Sequence, residues 1–374
     1  MRVRAALLRE MELPTPYAES RPMSVEELEL DPPGVGEVLV RNIAAGLCHS
    51  DLSTVDGARP RPMPMVLGHE AAGIVEDVGA GVDDFAPGDH VVYSYVPMCG
   101  QCTNCQSGRV VLCERGFAAN AAGSLLGDAR RLSSDGSPIH HHLGVSGFAD
   151  RSVASTSSLV KIGQDVPLER AALFGCALAT GVGSIINTAR VRPGESVAVF
   201  GLGGVGLSAV MGAVLAGAHP VIAVDRIPEK LDLAAKMGAT HQVTAGDDAE
   251  AEIRDLTGGG VDWAVECVGS AAVLAQAYAA ARRGGAAVSV GLPHPSQQLQ
   301  IPAVTLVADE KRILGSYMGS SVPRRDVPRM IGLYQAGKLP VDMLVSGSIP
   351  LEDINTGLDR LATGEAVRQV VDLS

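Results

Sequence analysis

A run of four cysteines has the spacing that most directly predicts chemistry. In CGQCTNCQSGRVVLC, the cysteines Cys99, Cys102, Cys105 and Cys113 follow the pattern C-x2-C-x2-C-x7-C. Two overlapping C-x-x-C turns direct three sulfurs to one point and a short loop adds a fourth, which suits tetrahedral Zn²⁺ with Zn–S distances of about 2.3 Å. An iron–sulfur cluster is the alternative, but its usual pattern ends in a three-residue spacer and a proline after the last cysteine. We therefore predict a structural zinc, because four thiolates leave no open coordination position.

A glycine-rich turn predicts a second kind of site. VAVFGLGGVGLSAV carries G-x-G-x-x-G at Gly201, Gly203 and Gly206, between a strand-like and a helix-like run, which is the context of a dinucleotide-binding turn. The three glycines would permit the tight turn, the approach of a pyrophosphate to the helix N-terminus, and close packing of helix on strand. Asp225 ends the next strand and favours NAD over NADP, because a carboxylate accepts ribose hydroxyls and repels a 2′-phosphate. The adjacent Arg226 weakens that preference, and a glycine-rich turn in a core without a ligand is the alternative.

The stretch AAGLCHSDLS joins four reactive side chains, namely Cys48, His49, Ser50 and Asp51. Such neighbours could form a metal site, a nucleophile with its base, or a polar turn. Further metal-ligand types stand far away in the sequence: His69, followed by Glu70, and Cys176. Taken singly, His69 would more often be a structural histidine and Cys176 a buried core thiol. Beside a predicted zinc lobe and a dinucleotide turn, the metal interpretation is favoured.

Length and composition limit the class of protein that carries these motifs. The chain has 374 residues, 46% of them hydrophobic and 19% charged, which predicts a packed globular protein of two domains. Its net charge of −12 argues against a nucleic-acid surface, which needs a basic patch. The N-terminal MRVRAALLREMELPTP lacks the apolar core of a signal peptide, and no charge-free apolar run reaches the ~18 residues of a membrane span. We expect a cytoplasmic protein without membrane or nucleic-acid partners.

The sequence pattern changes along the chain and predicts two kinds of domain. Residues 1–160 contain short β-like runs separated by Gly and Pro turns. From about residue 180, strand-like and helix-like runs alternate, including AAVLAQAYAAARRGG as a helix, which is typical of a doubly wound parallel sheet. The C-terminal part mixes helices and short strands and is expected to fold back on the first domain. SSDGSP, at 133–138, is expected to be a loop.

Together the motifs resemble the zinc-dependent alcohol dehydrogenases of the medium-chain dehydrogenase/reductase superfamily, over nearly the whole chain. The matching stretches are GLCHSD, GHEAAG, the four-cysteine run, IHHHLGVSGF, FGCALATG, GLGGVG and GEAVRQVV. The resemblance implies an α/β fold, with a GroES-like, mostly-β catalytic domain at 1–178 and 319–374 and a Rossmann NAD-binding domain at 179–318. The long segment 114–140 resembles that of the dimeric, liver- or class III-like branch in its bacterial form, so a homodimer is expected.

The resemblance also implies roles for individual residues. Cys48, His69 and Cys176 match the Cys₂His catalytic zinc ligands known for alcohol dehydrogenases, so two Zn²⁺ per chain are expected. Ser50 matches a proton-relay hydroxyl, Asp51 a carboxylate that orients the ligand His69, and Glu70 a residue beside the zinc. The implied cofactor residues, besides those named above, are Gly204, Val205, Thr180, Lys230 and Arg368, the last as a pyrophosphate-binding arginine. The implied substrate-pocket residues are Tyr95, His142, Leu143, Leu292 and Tyr317.

Two departures from the family pattern concern the relay and the cofactor. His49 stands where an arginine often faces the pyrophosphate, and Ser53 stands where a histidine ends the relay of liver-type enzymes. We predict that the last proton transfer uses Ser53, water or His49, and that NAD affinity is weaker and more pH-sensitive than with arginine. Cys267 is predicted to be a buried strand thiol.

The function implied is reversible hydride transfer between NAD and a primary or small secondary alcohol, including aromatic ones, giving an aldehyde or ketone. Three alternatives are open. One is a nicotinoprotein alcohol dehydrogenase with tightly bound NAD(H). Another is an S-(hydroxymethyl)thiol or formaldehyde dehydrogenase, although Phe117 stands where that branch carries arginine. The third is a zinc-stabilised NAD-binding sensor without catalysis, which would not need an open zinc position.

Overall fold

The computed structural model describes every residue from 1 to 374, and these divide into two compact units. The first unit comprises Met1–Cys176, Val322–Gly332 and Val345–Ser374, and the second comprises Ala177–Ser321 and Leu333–Leu344. The boundaries expected from the sequence were after 178 and before 319. The observed boundaries lie two residues earlier and three residues later, and a further segment of the C-terminal part belongs to the second unit.

The strands are mostly short and number eighteen. In chain order they are β1 (Arg2–Leu8), β2 (Met23–Leu30), β3 (Glu37–Leu47), β4 (Met65–Val66), β5 (Ala71–Val78), β6 (His90–Tyr93), β7 (Leu132–Ser134), β8 (Ser137–His141), β9 (Arg151–Ser155), β10 (Leu159–Ile162), β11 (Val197–Phe200), β12 (Val221–Asp225), β13 (His241–Thr244), β14 (Val261–Glu266), β15 (Ala281–Ser289), β16 (Arg312–Gly315), β17 (Gly347–Pro350) and β18 (Gln369–Asp372).

Thirteen α-helices connect the strands. In chain order they are α1 (Tyr17–Ser20), α2 (His49–Val55), α3 (Thr103–Gln106), α4 (Glu114–Ala122), α5 (Leu168–Ala171), α6 (Ala177–Gly183), α7 (Gly204–Leu215), α8 (Pro228–Lys236), α9 (Ala249–Thr257), α10 (Ala271–Ala280), α11 (Val304–Ala308), α12 (Pro323–Gln335) and α13 (Ile354–Ala362). A π-helical turn, Ser184–Ala189, extends α6. No helix taken singly has the length and apolar composition of a membrane span, although the bent pair Leu168–Gly175 and Ala177–Ala189 would pass that test together.

The first unit is built on two β-sheets. Strands β1, β2, β7, β8 and β4 form a closed barrel, and a second sheet has the order β10-β6-β5-β3-β18-β17 with β9 also paired to β3. The barrel interior holds aliphatic side chains such as Val3, Leu28, Leu132 and Ile139. The central strand β3 is buried along most of its length because it is paired on both sides. Its C-terminal end is buried, and so is Cys48, the residue that follows it.

The second unit contains one parallel sheet of six strands, in the order β13-β12-β11-β14-β15-β16. Its central strand β11 has the sequence VAVF and is fully buried, as expected for a parallel strand covered on both faces. Phe200, Ile222, Val224 and Ile253 belong to its core. The strand order reverses between β11 and β14, and ligands of doubly wound folds bind outside the carboxyl ends of the strands at that point.

Two local predictions from the sequence were wrong. SSDGSP is not an open loop but the tip of the β7–β8 hairpin, because Asp135 and Gly136 both have positive φ, at 50° and 75°. These angles are those of a tight hairpin turn, and Asp-Gly is a frequent sequence for it. The predicted helix to residue 285 ends at Ala280 instead. Strand β15 begins at once, and its register with β14 shifts so that Arg282–Gly285 bulges out.

Candidate active site

Two thiols and one imidazole converge inside the first unit. Cys48 lies between β3 and α2, His69 follows β4, and Cys176 follows a short 3-10 turn at Ala172–Gly175. The sulfur of Cys176 lies 3.5 Å from Nε2 of His69, and the three donor atoms all lie within 4.8 Å of one another. All three residues are buried. This donor set fits one Zn²⁺, and three protein ligands leave the fourth tetrahedral position open.

Asp51 is the fully buried carboxylate behind this trio. Its Oδ1 lies 3.0 Å from Nδ1 of His69 and accepts a hydrogen bond from the main-chain N–H of Gly68, while Oδ2 accepts one from the N–H of Cys48. A carboxylate that accepts from Nδ1–H leaves Nε2 as the metal donor of the imidazole. Asp51 thus orients one ligand and fixes the backbone beside two of them.

A second imidazole shares the same carboxylate. Nδ1 of His142 lies 3.3 Å from Oδ1 of Asp51, and the His142 and His69 rings meet edge to face at 5.5 Å. Burial lowers the pKa of His142 and outweighs the opposing effect of Asp51, which favours the neutral ring. The sequence assigned His142 only to a substrate pocket, and nothing in its spacing from Asp51 could have revealed this pairing.

Glu70 and Arg368 form a buried pair beside the trio. Nε of Arg368 lies 3.7 Å from Oε1 of Glu70, and Nη1 of Arg368 donates to the carbonyl of Leu47 at 3.2 Å. Burial raises the pKa of Glu70 to about 7, and neither of its oxygens accepts a hydrogen bond. The resemblance implied only a phosphate-binding role for Arg368. In the structure its charge also faces Glu70 and, through space, the Cys48 thiol.

The proton states of the trio are coupled. A hydrogen bond with Cys176 lowers the pKa of Cys48 well below its ordinary value, and the same bond raises the pKa of Cys176 well above it. Burial lowers the pKa of His69, but Asp51 and Cys48 together raise it well above its ordinary value. Metal ligation needs two thiolates and a neutral imidazole, so zinc binding here must release protons.

The remaining relay candidates lie on helix α2. His49 is exposed at its first position, and Ser50 and Ser53 are half-buried. The carbonyl of Ser50 accepts from the hydroxyl of Thr54, and that of Ser53 accepts from the N–H of Arg59. Helix α2 thus begins directly after Cys48 and carries all three relay candidates, each at least partly exposed to solvent.

Two of the predicted pocket residues, Tyr95 and Leu143, belong to the first unit together with His142. The Tyr95 ring meets the His69 ring edge to face at 5.4 Å, and Leu143 is buried next to His142 in a left-handed conformation with φ of 53°. Leu292 and Tyr317 belong to the second unit, where Leu292 is 53% exposed and Tyr317 is half-buried. Three of the five predicted pocket residues therefore belong to the first unit and two to the second.

The four-cysteine lobe forms a second metal-binding cluster. Its sulfurs all lie within 4.8 Å of one another, with Cys99–Cys105 and Cys102–Cys113 separations of 4.0 Å. A zinc tetrahedron with Zn–S bonds of about 2.3 Å has sulfur–sulfur edges of about 3.8 Å. The set therefore fits a single ion better than a cluster in which each thiolate binds its own iron. Main-chain N–H groups donate to the sulfurs, and such bonds lower the pKa of Cys102 to about 6.

The glycine turn of the second unit has the geometry of a phosphate cradle. Gly201 has φ of +87°, where glycine is favoured, and a Cβ on Gly206 would overlap the carbonyl oxygen of Gly201. A Cβ on Gly203 would meet no protein atom within 4 Å, so this face of the turn is open. It lies at the N-terminus of the twelve-residue helix α7, where free N–H groups favour an anion. The turn fits a dinucleotide pyrophosphate.

Other predicted cofactor residues surround this turn. Asp225 ends β12, and its carboxylate accepts from the N–H groups of Leu202 at 2.6 Å and Ile227 at 3.0 Å, which holds it beside the turn. Arg226 is exposed and Lys230 is half-buried on α8.

Helices α6 and α7 bring further predicted cofactor residues together. Thr180 is buried on α6 with its hydroxyl unpartnered. Gly204 and Val205 begin α7, and a Cβ on Gly181 would overlap the carbonyl of Val205. Cys267 follows β14 rather than lying in it, and burial raises the pKa of its thiol well above the ordinary value.

Comparisons with known proteins agree with the geometry of both units. Residues 34–164 match the family described as alcohol dehydrogenase GroES-like domain, and residues 204–336 match that described as zinc-binding dehydrogenase. Putative alcohol dehydrogenase D of Mycobacterium tuberculosis is 40% identical over 359 residues, which cover 95% of this chain and 97% of the relative. Alcohol dehydrogenase class-3 of Myxine glutinosa is 37% identical, with 96% of each chain covered.

A solved structure extends the similarity to the whole length of both chains. Benzyl alcohol dehydrogenase from Acinetobacter calcoaceticus superposes with a TM-score of 0.93 at 33% identity, and 100% of each chain is covered. The family and the α/β fold class predicted from the sequence are thereby confirmed. The chain belongs to the zinc-dependent alcohol dehydrogenases of the medium-chain dehydrogenase/reductase superfamily.

Proposed function

We propose that the protein oxidises primary or small secondary alcohols, aromatic ones included, with NAD as the hydride acceptor and two Zn²⁺ per chain. The observation that carries the proposal is the buried convergence of Cys48, His69 and Cys176, a donor set with one position left open. The similarity to a benzyl alcohol dehydrogenase supports aromatic alcohols as substrates. The aromatic and imidazole rings of Tyr95 and His142 against His69 support the same substrate class, because they give the site flat, largely apolar walls.

The side chains of this unit divide the chemistry between them. Zinc held by the trio would act as a Lewis acid that lowers the pKa of an alcohol hydroxyl and polarises a carbonyl. Asp51 holds the His69 ring in one tautomer through the 3.0 Å contact at Nδ1. Ser50 takes up the hydroxyl proton and passes on its own, since a neutral hydroxyl both donates and accepts. His49 and Ser53, on the same helix, carry the proton onward to solvent.

The carboxylate at the end of β12 supports NAD rather than NADP as the cofactor. The carboxylate of Asp225 is held by two main-chain N–H groups, so it cannot turn away from an incoming ribose without losing both bonds. A 2′-phosphate placed there would meet a fixed negative charge. A neutral ribose hydroxyl can donate to the lone pairs that these bonds leave free.

A substrate screen tests the proposal. Purified protein with two zinc ions per chain is mixed with NAD⁺ or NADP⁺ and a panel of alcohols, and formation of the reduced cofactor is followed by absorbance. We expect turnover with benzyl alcohol and short primary alcohols, and a clear preference for NAD⁺. No turnover with any alcohol by the zinc-loaded protein would contradict the proposal. In a second arm, the protein is denatured and the supernatant is assayed for NAD(H). Release of one NAD(H) per chain would show that the cofactor is tightly bound rather than exchangeable.

A matched pair of glycine variants tests the dinucleotide turn. Gly203→Ala adds a methyl group to the open face, so we expect a melting temperature within about 2 °C of wild type and a dissociation constant for NADH raised at least about 10-fold. Gly206→Ala forces a Cβ into the carbonyl of Gly201, so it should lower the melting temperature by about 5 °C or more. Thermal scans and NADH fluorescence titrations measure both. Unchanged NADH affinity in Gly203→Ala would place the pyrophosphate elsewhere.

A further inference from the structure

Glu266 is a fully buried carboxylate of the second unit that the proposed chemistry does not use. It ends β14, one strand away from the glycine turn. Its Oε1 accepts hydrogen bonds from the main-chain N–H groups of Gly269 at 2.6 Å and Ser270 at 3.3 Å, and its Oε2 has no partner. A buried carboxyl group with only main-chain partners carries a desolvation cost, which is unexpected unless its placement matters.

The main-chain carbonyl of the same residue holds a second loop. It accepts from the N–H groups of Val290 at 2.9 Å and Gly291 at 3.0 Å, directly after β15. The two loops are also packed on each other, because a Cβ on Gly291 would overlap the N atom of Gly269, which has φ of +83°. One residue thus ties together the loops that leave β14 and β15 at the carboxyl edge of the sheet.

The first of these loops borders the dinucleotide turn. The N–H of Cys267 donates to the carbonyl of Phe200 at 2.8 Å, just before that turn. A Cβ on Gly201 would lie 3.2 Å from the N atom of Val268, and a Cβ on Gly206 would lie 3.5 Å from Cβ of Cys267. The position of residues 267–270 therefore shapes one wall of the crevice next to the turn.

Both loops present an apolar side chain to the surface at this edge. Val268 is 54% exposed and Leu292 is 53% exposed, although each follows a strand whose interior is buried. The carboxyl edge beside the switch point is where ligands of this fold bind. Apolar side chains exposed next to a polar cradle are typical of the lining of a ligand site.

We propose that Glu266 is a positioning residue for the dinucleotide: it holds loops 267–270 and 290–292 so that Val268 and Leu292 pack against the bound cofactor. The inference rests on the proposed use of NAD. Oε1 sets the first loop through two N–H groups and the main-chain carbonyl sets the second, so the side chain and the backbone of one residue fix the spacing between the two apolar contacts. Preorganised contacts cost no ordering entropy when the ligand binds.

Two variants of Glu266 distinguish its role as a hydrogen-bond acceptor from a role of its negative charge. Glu266→Gln keeps an acceptor for Gly269 and Ser270, and Glu266→Ala removes it. We expect the dissociation constant for NADH, measured by fluorescence titration, to rise at least about 10-fold in the alanine variant and less than about 3-fold in the glutamine variant. Zinc content should stay at the wild-type value in both, because both metal clusters belong to the other unit.

A surface variant keeps the test informative if Glu266→Ala folds poorly. Val268→Ser changes an exposed side chain, so it should fold normally and weaken NADH binding by about 5-fold. In the double variant the two effects should not add, because the misplaced loop has already withdrawn Val268 from the cofactor. Wild-type affinity in a folded Glu266→Ala protein, equal losses in the alanine and glutamine variants, or full additivity would each overturn the inference. Failure of the wild-type protein to bind NADH would instead refute the proposed cofactor.

Discussion

Replacement of Cys176 by serine is expected to remove one zinc per chain and to lower kcat/KM for alcohol oxidation by about 10³-fold. The thiol is buried and lies 3.5 Å from Nε2 of His69. Its replacement by a hydroxyl therefore leaves the zinc with only one sulfur ligand, that of Cys48. The metal contributes several kcal/mol of charge stabilisation in the transition state, and about 4 kcal/mol corresponds to a factor of about 10³. Metal analysis by mass spectrometry and steady-state kinetics measure the two effects.

Cys267→Ser is the matched control for this change. It makes the same substitution at a cysteine that belongs to neither metal cluster, so the zinc content should stay at the wild-type value. NADH titrations of Cys176→Ser should also give the wild-type dissociation constant, because the glycine turn belongs to the other unit. A Cys176→Ser protein that retains two zinc ions and full activity would show that this trio is not the catalytic centre.

Replacement of Cys102 by serine is expected to remove the other zinc and to destabilise the protein. The lobe around the four cysteines contains one helical turn, α3, and one 3-10 turn at Val110–Leu112, and it has few buried side chains apart from Cys105, Val111 and Cys113. Metal binding must then supply most of its folding free energy, as in small zinc domains. We expect the melting temperature to fall by at least about 5 °C and the lobe to become sensitive to protease.

Gln106→Ala is the control for the lobe. Gln106 is exposed on the same helical turn, so its loss should change neither the zinc content nor the melting temperature measurably. Both proteins are dialysed against a weak chelator before metal analysis and calorimetry. Retention of two zinc ions per chain by Cys102→Ser after that dialysis would contradict a tetrahedral site of four thiolates.

The fold class could be predicted because its signals are local or periodic. Buried runs such as VAVF, followed by a glycine turn and an apolar helix, indicate a parallel strand and its crossover wherever they stand in the chain. The hairpin at Asp135–Gly136 could not be predicted from its turn residues alone, because such residues also occur in open loops and only the pairing of β7 with β8 distinguishes the two. The early start of β15 could not be predicted because Ala favours helices and is depleted in strands, and the pairing of Ala281 with Val261 of β14 overrides that local preference.

The candidate site was predictable in part. Motif matching to the family pointed to Cys48, His69 and Cys176 before the structure brought them together, and the glycine spacing predicted the cradle. Pairings between distant residues were not predictable: those of His142 with Asp51 and of Arg368 with Glu70 join segments that no spacing relates. Glu266 was missed because its partners are main-chain N–H groups, which leave no mark on the identity of the residues that carry them.

By itself, the sequence determined the local geometry of motifs whose residues stand close together in the chain. Cysteines separated by two residues can direct their sulfurs to a common centre, and a Gly-x-Gly turn between a strand and a helix opens toward the helix N-terminus, because a few backbone angles decide the geometry. Only the tertiary structure decided which distant groups meet, as with the sulfur of Cys176 and the imidazole of His69, 107 residues apart in the chain. It also decided which charges are buried together. Those outcomes depend on the packing of two sheets and their loops, and that packing is a property of the whole chain rather than of any one segment.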